Sequence, residues 1–245
     1  MTLVACLTWQ VPDPVGLSTD LERRLGAGAA AHRSPAGGLV LRLGTTDVHL
    51  VAWRAEAADD APHAGGRLVY EPLFEELSPD AAVAGDGPLA SPAFGLAGVA
   101  WATVELDRAE SELGPWLESP VGEAPDDEEA AEPHLGARTR VRRASGLPGG
   151  LIVIAEPARE GRLAASLARD GEGPCALYLV PAVGLDAWRR AAAGRGDAVS
   201  AVRPGPLGPS VLVAGPPAGP HLVMVERRAR ERPTSPDRPG GTIAP

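Results

Sequence analysis

The sequence predicts an α+β protein that repeats one structural unit. Three segments share the same order of elements: an alternating or continuous apolar strand, a short amphipathic helix, and then two or three further strands. The chain has 245 residues, 44% of them hydrophobic, which is enough for one large or two small domains. It has no apolar run long enough to cross a bilayer and no persistent heptad repeat. We therefore expect a globular protein with many turns.

The first unit is predicted over residues 1–78. Ser18 has the position of a helix cap ahead of an apolar stripe, and residues 44–47 have the composition of a hairpin loop. The predicted elements are strands 3–9, 38–43, 48–53 and 67–70 and helices 18–25 and 73–77. Residues 79–94 are rich in proline and glycine and predict a connector. The first unit is therefore predicted to be a βαββ half-module.

The second and third units are predicted over residues 95–226. Asp107 is expected to cap a helix, and residues 118–132 hold seven acids and no base, which is typical of a solvated loop. The second unit begins at Gly95. The predicted strands are 99–106, 138–143, 151–155, 175–180, 198–203, 210–214 and 221–226. The predicted helices are 107–116, 161–169 and 185–193. Residues 227–245 carry five arginines, two acids and four prolines with almost no apolar residue, and predict a disordered tail.

The charged residues exclude several kinds of chemistry. All 23 basic residues are arginine, a bias typical of a GC-rich bacterial coding sequence. Without lysine the chain has no Schiff-base nucleophile and no P-loop lysine. It also has no G-x-S-x-G motif and no cysteine with a recognisable histidine partner, so no residue is assigned a catalytic role. The net charge of −9 disfavours a nucleic-acid partner.

The two cysteines and the N-terminus indicate a cytoplasmic protein. Cys6 and Cys175 lie far apart in apolar, strand-like runs, and we expect both to be buried reduced thiols. The first residues lack the basic and long apolar regions of a signal peptide. We therefore expect a cytoplasmic protein without a membrane partner.

Several strings in the second and third units resemble the vicinal oxygen chelate superfamily, which includes glyoxalase I, bleomycin-resistance proteins, extradiol dioxygenases and methylmalonyl-CoA epimerase. They are residues 151–157, the helix that ends at 169–173, the strand 177–179, and the closing segments 204–208 and 219–226. The resemblance covers residues 95–226 and is closest to the epimerase and glyoxalase members. It implies paired βαβββ modules that form a curved mixed sheet around a cup. The N-terminal unit resembles the same module in outline only.

The resemblance also implies a divalent metal in the cup, held by His, Glu or Gln side chains from the first and last strands of each module. Carried over to this sequence, the ligand positions fall at Ala100, Val153, Ala176 and Val223. These apolar side chains offer none of the oxygen or nitrogen donors that such cations need. We therefore expect no cofactor, the alternative being one divalent metal with other ligands.

Four residues are predicted to bind a ligand in the cup. His221 shares a strand face with Val223, and Tyr178 shares one with Ala176. The other two are Trp101, on the opening strand, and Arg140.

Other polar residues have weaker claims. Arg138, Arg140 and Arg142 line one strand face and suit a carboxylate or phosphate, although neutralising the preceding acidic run is the slightly preferred explanation. His134 lies beside that run in a segment that we expect to be a loop, and His49 has no visible partner.

The leading hypothesis is a metal-free protein that binds a small organic molecule in the cup, with no enzymatic role favoured. One alternative is a metal-dependent isomerase or lyase with ligands recruited from His221, His134, Glu156 or Glu226. A third is an interaction protein that forms a homodimer or docks through its N-terminal unit. A small-molecule partner is expected under the first two hypotheses.

Overall fold

The computed structural model of the chain describes residues 6–11, 13–25, 29–33, 39–43, 46–52, 66–69, 94–117, 129–144, 150–214 and 219–226. The strands before residue 94 are described by their backbone. The predicted helix 73–77, most of the connector and the predicted tail 227–245 lie outside the described residues.

Eight strands form the larger sheet, which spans the second and third units. They are β6 (Phe94–Ala102), β7 (Ala130–Glu132), β8 (Ala137–Arg143), β9 (Leu151–Pro157), β10 (Gly173–Pro181), β11 (Arg203–Gly205), β12 (Gly208–Val213) and β13 (His221–Val225). Their spatial order is β11-β12-β13-β10-β6-β9-β8-β7. The end strands β7 and β11 approach each other, so the sheet is curved and nearly closed.

The larger sheet consists of two modules with the same topology. In the first, β6 pairs in parallel with β9, while β9 with β8 and β8 with β7 pair in antiparallel fashion. In the second, β10 pairs in parallel with β13, followed by antiparallel β12 and β11. The modules meet where β6 and β10 pair antiparallel, with Ala100 opposite Ala176. The predicted pair of βαβββ modules is therefore confirmed.

Helices cover both faces of this sheet. The outer face carries α2 (Leu106–Leu113), with the short 3-10 turn Gly114–Trp116, and α4 (Leu185–Gly194). The buried sheet residues of the outer face include Val99, Ile152, Ile154, Leu177, Leu179, Leu222 and Met224. The inner face carries α3 (Arg162–Asp170), which connects the modules. The buried sheet residues of the inner face include Ala100, Ala102, Val153, Ala155, Ala176, Tyr178, Val223 and Val225.

The N-terminal unit repeats the module topology. Its elements are β1 (Cys6–Val11), α1 (Pro14–Leu25), β2 (Ala29–Arg33), β3 (Leu39–Leu43), β4 (Thr46–Ala52) and β5 (Gly66–Val69), with strand order β2-β3-β4-β1-β5. Since β1 pairs in parallel with β4, the unit contains a complete βαβββ module with one strand, β2, more than predicted. β5 lies antiparallel to β1, as β10 lies to β6.

Helix α1 joins the N-terminal unit to the larger sheet. Leu17, Leu21 and Leu25 recur every four residues on one face of the helix, and all three are buried in the same core as Trp188 of α4. Burial of three leucines on a shared core ties the N-terminal unit to the outer face of the second module.

The structure corrects both predicted helix caps. α1 begins at Pro14 rather than Ser18, because Asp13 caps it: the Gly16 amide donates to Asp13 Oδ1 across 2.9 Å, with proline at the first helical position. Asp107 is not a cap, since α2 begins at Leu106, whose amide donates to Glu156 Oε2 across 3.1 Å. Both helices start where a carboxylate reaches their free amides.

Two further predictions are wrong. Residues 198–203 do not form a strand: Val199 makes an isolated bridge to Val213, and β11 begins only at Arg203. The acidic run does not end in solvent, because Glu132, its last acid, is a fully buried part of β7. No helix in the described part of the chain has the length and apolarity to cross a membrane.

Candidate functional site

A single row of residues crosses the centre of the inner face. Val153 pairs with Ala100, Ala100 with Ala176, and Ala176 with His221. The position that matches Val153 in the second module is therefore His221, whereas Val223 pairs with Tyr178 one step along the face. The first three residues of the row are fully buried. His221 is the only one of the four with a metal-binding or proton-transferring group.

Helix α3 lies over this row. Its Leu163 is fully buried and packs with Ala100, Val153 and Ala176 in one core. Ser166 Oγ, on the same helix face, lies 3.0 Å from His221 Nε2. Burial, with the nearby Arg162 and Arg169 guanidinium groups, lowers the pKa of His221 to about 4. His221 is therefore a neutral imidazole at physiological pH, bonded to the helix that covers it.

A carboxyl group lies buried beside the row. The Tyr178 hydroxyl donates to Glu132 Oε2 across 2.9 Å, and the His134 amide donates to Glu132 Oε1 across 3.0 Å. Burial raises the pKa of the Glu132 carboxyl, and burial together with that carboxyl raises the pKa of Tyr178 well above 10. Both oxygens of Glu132 thus have a donor within the protein.

The His134 ring is held on both sides. Its Nε2 lies 3.0 Å from the Ser210 carbonyl oxygen, and its Nδ1 lies 3.3 Å from Ser200 Oγ. A carbonyl oxygen only accepts, so Nε2 must carry a proton. The Leu212 amide donates to Ser200 Oγ across 2.8 Å, which anchors the serine to β12. His134, predicted to lie in a loop, is a buried and fixed residue in the turn between β7 and β8.

A pocket of about 360 Å³ opens beside His134, at the rim of the inner face. Its walls come from the turn between β7 and β8, the loop between β9 and α3, and the segment between α4 and β11. The lining residues are Pro133, His134, Leu135, Gly136, Arg159, Glu160, Gly161, Arg162, Ser200, Ala201, Arg203 and Leu212. Leu212 belongs to the buried inner face, so the pocket extends from that core to the surface.

Three arginines of the pocket, Arg159, Arg162 and Arg203, form no ion pair with any residue in the described part of the chain. By contrast, Arg138, Arg140 and Arg142 of β8 all bond to carboxylates. Arg138 pairs with Glu156 at 2.7 Å and also contacts Glu129. The pocket therefore holds unneutralised positive charge, unlike the row formed by Arg138, Arg140 and Arg142.

The four predicted binding residues do not come together. His221 and Tyr178 lie on the inner face, whereas Trp101 packs on the outer face against α2. Arg140 also lies on the outer face and pairs with Asp107 at 2.5 Å, Glu110 at 3.1 Å and Glu129 at 3.0 Å. None of the four lines the pocket.

The arginine row of β8 contacts acids from three places: the acidic run, α2 and, through Glu156, β9. Glu129 belongs to the acidic run, as the neutralisation explanation expected, but Glu110 of α2 also bonds both Arg140 and Arg142. Hydrogen bonds to Asp107 and the other carboxylates raise the pKa of Arg140, which is already cationic at any physiological pH. This row fixes α2 on the sheet.

The donor set does not fit the divalent metal implied by the family resemblance. No three His, Cys, Asp or Glu side chains of the described residues are grouped so that they could hold a metal ion. Of the alternative ligands, His134 and His221 bond to different elements, and Glu156 bonds to Arg138 and the start of α2. Glu226 is exposed at the end of β13. The four candidate ligands therefore lie in separate parts of the structure and do not form one metal site.

Cys175 is a buried free thiol, as predicted, and burial raises its pKa to about 12. The protonated thiol is a small apolar side chain in the inner-face core and not a nucleophile. The side chain of Cys6 lies outside the described part of the chain.

Comparisons with known proteins agree with this architecture. No protein-family model matches the chain, and no curated protein matches it. The structure is similar to that of a mutant 4-hydroxymandelate synthase from Streptomyces coelicolor, with 14% identity, a TM-score of 0.56 and coverage of 91% of this chain and 91% of that chain. That enzyme is a vicinal oxygen chelate superfamily member. This chain has the vicinal oxygen chelate fold.

Two further structures with the vicinal oxygen chelate fold are similar over different extents. Methylmalonyl-CoA epimerase from Mycobacterium tuberculosis has 20% identity and a TM-score of 0.41, covering 54% of this chain and 89% of that chain. BphC, a halotolerant catechol dioxygenase, has 12% identity and a TM-score of 0.42, covering 92% of this chain and 87% of that chain. The predicted fold is confirmed, and the similarity to the synthase includes the N-terminal unit.

Sequence reasoning missed most of the pocket. Arg159, Arg162, Ser200 and Arg203 lie in two segments, 159–162 and 200–203, that come together only in the fold. A weak signal was present, since Arg159 and Arg162 flank a glycine between a predicted strand and a predicted helix. Glu132 was hidden within the acidic run, where nothing separates it from its solvated neighbours.

Proposed function

We propose that this protein binds a small organic molecule without a metal ion, in the pocket beside His134. The observation that carries the proposal is the pocket of about 360 Å³ at the rim of the inner face, next to a cup whose centre is filled by α3. Ligand sites of proteins are typically clefts of about 300–1,000 Å³ in which a few fixed polar groups orient the ligand. This pocket lies at the lower end of that range and suits a small ligand.

The polar groups of the pocket are held in place before any ligand arrives. His134 is fixed by the Ser210 carbonyl and by Ser200, and its backbone amide is fixed by the buried Glu132. A site with preset donors loses little conformational freedom on binding, which favours affinity for a small molecule. The network from Tyr178 through Glu132 to His134 thus supports recognition.

The absence of a metal in this proposal rests on the chemistry of the side chains. Three of the four residues in the central row are Ala100, Val153 and Ala176, and these cannot donate a lone pair. His221 alone cannot complete a coordination sphere, and its Nε2 already bonds to Ser166.

A hydrolytic role for the Ser200 and His134 pair has less support. Their 3.3 Å separation is at the long end of the hydrogen-bond range. Ser200 Oγ already accepts from the Leu212 amide at 2.8 Å, and its hydroxyl also lies within 3.1 Å of the Ala201 carbonyl. An Oγ engaged in this way is a structural link and a weak nucleophile.

A thermal-shift screen tests the proposal. Planar aromatics, acyl-CoA thioesters, 2-oxo aldehydes and organic acids are added to EDTA-treated protein, and at least one class is expected to raise Tm. Ala201 is exposed and lines the pocket, so Ala201→Trp should fill it and abolish the shift. Ala198 is exposed and outside the pocket, and Ala198→Trp is the matched control that should retain the shift.

Two outcomes would contradict the proposal. One is a screen in which no class raises Tm, which would favour the interaction-protein hypothesis. The other is a ligand whose shift survives in Ala201→Trp, which places binding elsewhere, or a ligand that raises Tm only when EDTA is left out, which makes binding depend on a metal.

A further inference from the structure

We propose that the ligand of this pocket is a small organic dianion, either a dicarboxylate or a phosphate monoester. This inference rests on the proposed binding function and names the chemical class of its ligand. The inference rests on three side chains, Arg159, Arg162 and Arg203, which all line the pocket. Guanidinium groups recognise carboxylate and phosphate through paired, charge-assisted hydrogen bonds.

Most arginines whose side chains are described in this acidic protein form ion pairs, and three of the five that form none line the pocket. The chain has 32 acids against 23 basic residues, so partners for an arginine are abundant. Arg108, Arg138, Arg140 and Arg195 each find at least one carboxylate. Arg159 and Arg162 come from one segment and Arg203 from another, and all three line one cavity and pair with no acid in the described part of the chain. Convergence of unpaired cations on a cavity is the arrangement that an anionic ligand requires.

Helix α3 adds to the positive potential. It begins at Arg162, on the pocket wall, and its cap position Gly161 supplies no side-chain hydrogen bond. The first amides of a helix and its dipole favour a negative charge nearby. The nine-residue helix therefore supports the arginines at the same wall.

The charge balance indicates a dianion. Three arginines and one acid, Glu160, line the pocket, which leaves two positive charges. A ligand with two negative charges neutralises this excess, whereas a monoanion leaves one cation uncompensated. Leu135 and Leu212 provide apolar contact for a short carbon skeleton.

Isothermal titration calorimetry tests the inference. The titrants are straight-chain dicarboxylates from malonate to adipate, glycerol 3-phosphate, and the uncharged diester dimethyl succinate, all at low ionic strength. Either a dicarboxylate or glycerol 3-phosphate should bind with a stoichiometry of one ligand per chain, and dimethyl succinate should give no heat of binding. Binding by a dicarboxylate or by glycerol 3-phosphate decides between the two sources of the dianion. Added sodium chloride should weaken this binding, since the guanidinium groups are exposed.

Substitutions give effects of opposite sign. Arg159→Gln and Arg203→Gln should each weaken dianion binding by about three- to tenfold, because each removes one charge-assisted contact at an exposed site. Glu160→Gln should strengthen it, because Glu160 is the one acid among the described residues that line the pocket. Arg190→Gln, at an exposed arginine of α4 outside the pocket, should leave affinity within twofold. All four sites are exposed, so the fold should tolerate the changes.

The outcomes separate this inference from the proposed function. If no dianion binds but an uncharged compound gives a shift that Ala201→Trp abolishes, the anion inference is wrong and the binding function stands. If no compound of any class binds, both are wrong. Weakening of a bound dianion by Glu160→Gln, or equal loss in Arg190→Gln and Arg203→Gln, would also overturn the inference.

Discussion

The Tyr178 hydroxyl donates to Glu132 Oε2 across 2.9 Å, at a point where neither side chain contacts solvent. The bond joins β10, in the middle of the sheet, to β7 at its end, and therefore links the two modules across the inner face. Gly205 of β11 makes room for the pair, since a Cβ there would lie 3.2 Å from Glu132 Oε2. The centre of the cup is thus a packed interior.

Tyr178→Phe should destabilise the protein by about 1–3 kcal/mol, because Glu132 then keeps a buried oxygen without its side-chain donor. Urea unfolding at pH 7 measures the loss. In the double variant with Glu132→Gln the loss should be smaller than the sum of the two single losses, since the two side chains interact directly. Additive losses would mean that the two groups do not interact.

Glu132→Gln should change how stability depends on pH. Burial raises the pKa of Glu132 above its ordinary value of 4.5, so the folded state holds this proton more tightly than the unfolded state. The stability that this proton contributes is present below pH 4.5 and is lost as pH rises through the folded-state pKa. The variant should therefore become more stable relative to wild type as pH rises. A constant difference between the two profiles would contradict a buried acid.

His221→Gln should produce the opposite trend. The pKa of His221 falls from 6.5 to about 4 in the folded state, so the unfolded state binds the proton more tightly. Wild type should lose up to about 3 kcal/mol as pH falls from 6.5 to 4, and His221→Gln should lack this part of the loss. Arg162, Arg169 and Asp170 are the charged groups near the ring. An NMR titration that protonates the ring above pH 6 would contradict the prediction.

Leu163→Ala should destabilise the protein by about 2–5 kcal/mol, because the side chain is fully buried between α3 and the central row. Leu167→Ala is the control on the same helix. Leu167 is only partly buried, so its truncation should cost less. Equal losses measured by chemical denaturation would mean that α3 does not close the inner face.

Much of the fold follows from local patterns. Alternation of apolar residues gave β8, β9, β10, β12 and β13 to within a few residues, because each of these strands has at least one buried face. The helix caps were harder to predict from the sequence. Asp13 and Glu156 act through hydrogen bonds whose geometry depends on where the chain enters the helix.

The site was less predictable because it depends on register and on distant contacts. The pairing of His221, rather than Val223, with Ala176 depends on how β13 aligns with β10, which the sequence of either strand does not specify. Glu132 is buried, and its side-chain hydrogen-bond donor, Tyr178, is 46 residues away in the sequence. The resemblance placed Ala100, Val153 and Ala176 in one site, and the structure places all three in one row of the inner face.

Elemental analysis of the purified protein, dialysed without chelator, tests the central claim that this fold functions here without a metal in its cup. We expect only trace zinc, iron, nickel, cobalt and manganese, because the central row provides one histidine and no second ligand. Near-stoichiometric amounts of any of these metals, lost in His221→Gln and retained in the control Arg190→Gln, would contradict it.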